Sequence, residues 1–212
     1  LKKSYGSKEA VKNINFEIQA GKTLALVGET GAGKTSVTNV LNRFYDIQKG
    51  AIYVDDKSIK EVKLSSLREQ IAFVQQEVFL FSDTIFNNIT LYDKHIGILQ
   101  VKEAAKQIGI DDFISSLPGG YHYTVGERGV TLSTGQRQLI AFLRVYVRNP
   151  KIFILDEATS SIDTETEQLL QAALEKIAVN RTLIVIAHRL STIRNANKIL
   201  LFEDGEILEH GT

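Results

Sequence analysis

Leu24–Val40 reads LALVGETGAGKTSVTNV, and this stretch decides the fold. Thr23–Val27 is a short apolar run of strand type. Gly28–Thr35 (GETGAGKT) matches G-x-x-x-x-G-K-[ST] at every fixed position. From Ser36 to Phe44 the apolar residues Val37, Val40, Leu41 and Phe44 recur at helical spacing. Strand, glycine loop and helix in that order is the context in which the pattern binds phosphate rather than making a ligand-free turn. Gly28, Gly31 and Gly33 let the backbone turn tightly and aim successive N–H groups inward. The helix that follows adds its positive dipole end. Lys34 supplies a point charge for the outer phosphates, and the Thr35 hydroxyl is a Mg²⁺ ligand of the right type.

Outward from the loop, the chain reads as an alternation of strands and helices. Leu1–Tyr5 resembles the end of a strand. In Val11–Ala20 (VKNINFEIQA), Ile14, Phe16 and Ile18 alternate with polar neighbours, which predicts a half-buried strand. Two antiparallel-type strands before a parallel core predict a small β subdomain. Gly50–Val54 predicts a strand closed by the turn pair Asp55-Asp56, Leu64–Gln70 a short helix, and Ile71–Val74 a fully buried strand running into Gln75 and Gln76. From Phe79 to about Pro150 the pattern is mostly helical (Ile85–Leu91, Val101–Ile108, Asp111–Leu117), broken at Leu117-Pro-Gly-Gly120. Thr124–Gly129 is a polar loop. Ser133 then sits at an N-cap position with Gln136 three residues on, the spacing of a capping box. The helix runs to about Asn149 with Leu139, Phe142, Leu143, Tyr146 and Val147 on one side, and Asn149-Pro150 ends it. Ile152–Leu155 and Thr182–Ala187 predict two further buried strands, and Thr164–Val179 a helix capped by Asp163. Lys198–Glu203 and Glu206–Glu209 flank Asp204-Gly205, a two-residue hairpin signal.

Composition bounds the function classes. The chain has 212 residues, enough for one large α/β domain or one with an inserted subdomain. Hydrophobic content of 43% with 24% charged residues argues against disorder. Lys+Arg and Asp+Glu are both 25, so the basic excess that nucleic-acid binding needs is missing, and no nucleic-acid partner is expected. There is no cysteine, which excludes disulfides and thiolate metal sites. The longest apolar runs are about half a dozen residues, far short of a membrane span. There is no Met, and the sequence stops at Gly211-Thr212 after a strand-like run. Both features read as a domain of a longer polypeptide, the alternative being a small protein whose start residue was removed.

Three further groups carry chemistry. Asp156-Glu157 follows four apolar residues, and in a parallel sheet ligands bind at the carboxyl ends of strands. The pair either opens a surface loop or faces the phosphates, where a nucleoside triphosphate brings Mg²⁺ that needs a carboxylate. His188 ends the strand Thr182–Ala187, as a structural hydrogen-bonding group or as a phosphate contact. Leu132-Ser-Thr-Gly-Gln136 opens a helix. Capping explains Ser133 and Gln136 but not Gly135, since glycine in a first turn costs about 1 kcal/mol relative to alanine. A second anion site there makes sense if two copies of the domain share a nucleotide.

The order GETGAGKT, Gln76 after an apolar strand, LSTGQ, IFILDE, SSID and then His188 resembles the nucleotide-binding domain of ATP-binding cassette (ABC) transporters, over nearly the whole chain. The stretches RFYDIQKGAIYVDD, VFLFSDTIFNNI and TVGERG resemble the exporter branch. The resemblance implies an α/β fold: a P-loop NTPase core with a mostly parallel sheet, an N-terminal antiparallel β subdomain and an inserted α-helical subdomain. The core and β subdomain would take about residues 1–76 and 150–212, the helical subdomain about 77–149. It further implies an ATPase whose cofactors are ATP and Mg²⁺.

Residue roles follow from the same resemblance. Tyr5 would stack on the adenine. Gly28, Glu29, Thr30, Gly31, Ala32, Gly33, Lys34, Thr35 and Ser36 would wrap the phosphates. Thr35, Gln76 and Asp156 would serve the metal, Asp156 through water. Glu157 would be the general base, with His188, Lys34 and Gln76 completing the catalytic set. Ser133, Gly135 and Gln136 would act on the ATP of the opposite protomer, Asp163 would lie in the loop joining the two sites, and Thr124–Gly129 would touch the transmembrane partner. Two departures stand out: Thr134 replaces the first glycine of the signature, and Lys3 replaces an aromatic two residues before Tyr5. The implied partners are a second nucleotide-binding domain, identical or not, and the exporter's transmembrane domain, at the cytoplasmic face of a membrane. The rivals are a soluble non-transport ABC ATPase, which would carry coiled-coil heptads or tandem cassettes, and a nucleotide-sensing module, which would lack the Asp-Glu pair or His188.

Overall fold

The computed structural model describes residues 1–156, 162–187 and 190–211, and the chain forms two compact units. The first comprises residues 1–73, 151–158 and 180–212; the second comprises 74–150 and 159–179.

The first unit is built on a six-stranded sheet. In chain order its elements are β1 (Lys3–Tyr5), β2 (Lys8–Val11), β3 (Thr23–Gly28), α1 (Lys34–Leu41), β4 (Tyr53–Val54), β5 (Lys57–Ser58), α2 (Leu64–Gln70), β6 (Ile71–Val74), β7 (Ile152–Asp156), β8 (Thr182–Ile186), the short α8 (Leu190–Arg194), β9 (Lys198–Glu203) and β10 (Glu206–Gly211). The sheet order is β10-β9-β3-β8-β7-β6. β3 lies parallel between β8 and β9, and β7 parallel to β8, whereas β10 returns antiparallel to β9 across Asp204-Gly205. Both turn residues have positive φ, 46° and 83°, as a two-residue turn matched to strand twist requires. The continuous apolar runs of β3, β7 and β8 are what a strand covered on both faces needs. Leu24, Leu26, Ile154, Ile184 and Ile186 from these strands and Leu200 and Phe202 of β9 join Val37 of α1 and Leu67 of α2 in one core.

Three expectations are corrected here. Val11–Ala20 is not a strand: the ladder stops at Val11, and Asn13 turns the chain with φ 48°. The alternation still reports the buried face, because Ile14 is 4% exposed and Phe16 and Ile18 pack against the same core. Gly50–Val54 contributes only Tyr53–Val54, which forms a hairpin with Lys57–Ser58. Its turn is Asp55-Asp56, with φ 48° and 63° at the two residues. Ile71–Val74 is a strand, but an edge one, with Ala72 and Phe73 only half-buried.

The second unit is helical: α3 (Ile85–Thr90), α4 (Ile98–Ile108), α5 (Asp111–Ser116), α6 (Thr134–Arg148) and α7 (Thr164–Ala178), with 3₁₀ turns at Gly120–His122 and Glu127–Gly129. α6 touches α3, α4 and α7, so its burial is wider than one stripe. Ile140, Ala141 and Val145 are buried beside Leu139, Phe142 and Leu143, while Tyr146 and Val147 are half-buried. Asn88, fully buried, ties the segment before α3 to it: its amide donates to the Phe81 and Thr84 carbonyls and its oxygen accepts from the Phe81 N–H. The sequence reading placed all of 150–212 with the core. By packing, residues 159–179 group with the helical unit, because α7 lies against α6 and α4.

Candidate functional site

The loop after β3 is shaped by close backbone contact. Gly28, Gly31 and Gly33 all have positive φ, at 145°, 91° and 104°. A Cβ on Gly28 would lie 2.1 Å from the Phe202 carbonyl oxygen, and one on Gly33 2.4 Å from that of Ala10. A Cβ on Gly31 would meet nothing within 4 Å, so Gly31 is needed for its backbone angle alone. The loop is closed by Ala32 N–H donating to the Glu29 carbonyl (3.1 Å), and anchored by Gly205 N–H donating to the Ala32 carbonyl (2.9 Å). Helix α1 starts at Lys34 with Gly33 as N-cap and no side-chain cap. Among the described residues no side chain caps its first turn, whose N–H groups can meet an external anion. Glu29, Thr30 and Thr35 are exposed, Ser36 half-buried.

Lys34 is 5% exposed, and its ammonium donates to the Gly28 (2.7 Å) and Glu29 (2.8 Å) carbonyls. Burial pushes its pKa below the ordinary lysine value, and the Asp156 carboxylate opposes that shift. Asp156 ends β7, where the register sets Asp156 and Leu26 on either side of Ile186. The Thr35 hydroxyl donates to Asp156 Oδ2 at 3.3 Å. A cation, a hydroxyl and a carboxylate thus converge at the carboxyl ends of parallel strands. A hydroxyl and a carboxylate oxygen are hard donors of the type Mg²⁺ takes, so these residues fit that ion. Tyr5, in the same unit, is 36% exposed and packs edge to face with Tyr45, ring centroids 5.1 Å apart. Glu157 and His188 lie outside the described residues.

In the helical unit, Gln76 is exposed, two residues beyond β6. Ser133 caps α6 in a complete capping box. Its hydroxyl accepts from Gln136 N–H (3.2 Å), and Gln136 Oε1 accepts from Ser133 N–H (3.0 Å). Gly135 has a structural reason the sequence did not reveal: a Cβ there would stand 2.4 Å from Thr166 Cγ2 and 2.9 Å from Ile162 Cγ2. Close packing against the start of α7 thus accounts for the glycine that capping left unexplained. Asp163 caps α7, its Oδ1 accepting from Thr166 N–H at 2.8 Å. The sequence reading missed Arg137, whose guanidinium donates to the Gly129 and Leu132 carbonyls and to the Thr134 hydroxyl (3.3, 2.7 and 3.1 Å). The threonine of the signature is therefore tied to its own helix and to the loop before it. The i, i+3 spacing of Thr134 and Arg137 was the available signal.

Comparison with known proteins identifies the family. A family model described as ABC transporter matches residues 11–160. An ATP-dependent lipid A-core flippase of Photobacterium profundum is 48% identical over 204 residues, covering 96% of this chain and 35% of that protein. A probable multidrug resistance ABC transporter ATP-binding/permease protein of Bacillus subtilis is 49% identical over 203 residues, covering 96% and 30%. A solved bacterial Atm1-family ABC exporter with ATP bound superposes with a TM-score of 0.91 at 42% identity, over 100% of this chain and 37% of that one. The chain spans about a third of the length of the relatives it matches. No described helix is long and apolar enough to cross a membrane. The family model spans the phosphate loop, the capped signature helix and the acidic end of β7, and the chain belongs to the ABC transporter family, as a nucleotide-binding ATPase domain of the exporter type.

Proposed function

We propose that this domain hydrolyses Mg·ATP to drive export of a substrate across a membrane, working as one of two domains that close head to tail on two nucleotides. The observation that carries the reading is the convergence of Lys34, Thr35 and Asp156 at the mouth of an uncapped helix. Phosphoryl transfer to water needs positioning and charge stabilisation more than covalent chemistry, and this is the inventory present. Loop and first-turn N–H groups from Gly28 to Ser36 hold the phosphates, and Lys34 neutralises charge on the outer ones. Thr35 and Asp156 would hold Mg²⁺, with Gln76 the further metal contact that the resemblance implies, and the bound ion would supply positive charge to the triphosphate. Glu157 orients the attacking water and takes its proton as the new oxygen–phosphorus bond forms. The bond from the γ-phosphorus to the bridging oxygen breaks, and ADP leaves with that oxygen. His188 contacts the γ-phosphate, and Tyr5 stacks on the adenine.

Ser133, Gly135 and Gln136 meet the triphosphate held by the opposite protomer, and Asp163 lies in the segment joining the two sites. The membrane-spanning partner lies outside residues 1–212, with this domain on the cytoplasmic face and Thr124–Gly129 against it. The resemblance to full-length exporters over this domain supports that arrangement. The direct test is Glu157→Gln. It should keep ATP binding in an equilibrium titration and lose at least about a hundredfold in turnover, the scale of general-base catalysis. Near-normal turnover removes Glu157 from the role of base.

A further inference from the structure

Strand periodicity puts residues 3 and 5 of β1 on one face. Tyr5 stands at its exposed end and Lys3 is 7% exposed. The Lys3 ammonium donates to the Asp46 carbonyl at 2.6 Å. It also stands 5.0 Å from the centroid of the Tyr5 ring and 5.3 Å from that of Tyr45. The two rings meet edge to face, at 88° between planes. The strand beneath them is pinned. Gln48 accepts from Ser4 N–H and donates to the Ser4 carbonyl, both at 3.0 Å, and Lys2 N–H donates to the Lys49 carbonyl.

An ammonium has three donors, and a single carbonyl satisfies one. Taking the charge out of water is unfavourable unless partners replace the water, and two aromatic faces are partners of the right polarity. An apolar side chain at this position would fill the same space without that cost. The charge therefore has a use, and the groups it touches say what it is. A lone tyrosine at a strand end samples several orientations, whereas this ring is held by its edge-to-face contact with Tyr45 and by a cation.

We propose that Lys3 is a positioning residue for the nucleobase platform: it fixes the Tyr5 ring and so sets how far the domain prefers a purine nucleotide over a bare triphosphate. This rests on the reading of Tyr5 as the adenine-stacking residue. Lys3 touches neither base nor phosphate and acts only through the ring. Its contribution falls on the base-dependent part of affinity and leaves the phosphate-dependent part alone.

The test is calorimetric titration of the chain with ATP and, separately, with inorganic tripolyphosphate, for the parent, Lys3→Met, Lys3→Arg, Tyr5→Leu and Lys3→Met/Tyr5→Leu. Lys3→Met should lower the ATP-to-tripolyphosphate affinity ratio about three- to tenfold, the range of a partly desolvated cation–ring contact. Lys3→Arg should restore the ratio, and Lys3→Met should add nothing once Tyr5 is leucine. Tripolyphosphate binding reports that each variant is folded. If Tyr5→Leu lowers the ratio and Lys3→Met does not, Lys3 is dispensable and the stacking reading stands. If Lys3→Met weakens both ligands alike, its role is general to the fold and the proposal fails. If Tyr5→Leu leaves the ratio unchanged, the stacking reading itself fails and the proposal with it.

Discussion

Glycines that look alike in the sequence separate once their surroundings are known. Gly28 and Gly33 are held against carbonyl oxygens of β9 and β2, Gly31 faces open space, and Gly135 is wedged against Thr166 and Ile162. The motif pattern identified the first three because phosphate loops recur at fixed spacing. It could not identify the reason for Gly135, because the neighbours that forbid a side chain lie 27 and 31 residues further along the chain. Gly135→Ala should destabilise the domain by about 1–3 kcal/mol, the usual cost of overpacking. Removing the nearest methyl with Thr166→Ser should recover part of that loss in thermal unfolding. Lys34 belongs to the same scale. Its ammonium, held at the Gly28 and Glu29 carbonyls, is the cation proposed for the outer phosphates, so Lys34→Ala should weaken ATP binding at least about tenfold, as expected for losing charge-assisted hydrogen bonds. Unchanged affinity in a titration would contradict the assignment of the loop.

Helix ends were the elements best read from sequence, because caps are local. Ser133 with Gln136, and Asp163 at the head of α7, both have the hydrogen bonds their spacing predicts. The residues before Thr23 were read less well. Alternation at Ile14, Phe16 and Ile18 reports which side chains face the core, and it carries no information on whether a neighbouring strand is within reach. Helix α8 has five residues, too few for a helical period to register. The Asp163 cap has a pH signature. The backbone N–H of Thr166, followed by its side chain, holds the Asp163 carboxyl below its ordinary value of 3.8. A depressed folded pKa means the cap stabilises fully above the unfolded value and is lost as pH falls through the folded one. Asp163→Asn retains a capping side chain without the titration. Thermal unfolding from about pH 6 to 2 should show parent and variant converging in acid and separating above about pH 4. Parallel curves would remove Asp163 from the pH response.

At the scale of the whole molecule, the order of motifs was enough to indicate the family, since each is a short continuous stretch whose spacing can be read without knowing the fold. Grouping by packing was not legible: residues 159–179 follow β7 in sequence, yet the apolar face of α7 (Leu170, Ala173, Leu174, Ile177) is buried in the helical unit. The proposed mechanism needs more than one chain, because the phosphate loop and the signature helix of one copy would serve two different nucleotides. The most direct measurement is steady-state ATPase activity per chain against protein concentration, with sizing in ATP across the same range. Activity per chain should rise with concentration as dimer forms. Constant activity per chain over a hundredfold range in which sizing shows only monomer would mean that one copy suffices, and would contradict the proposed mechanism.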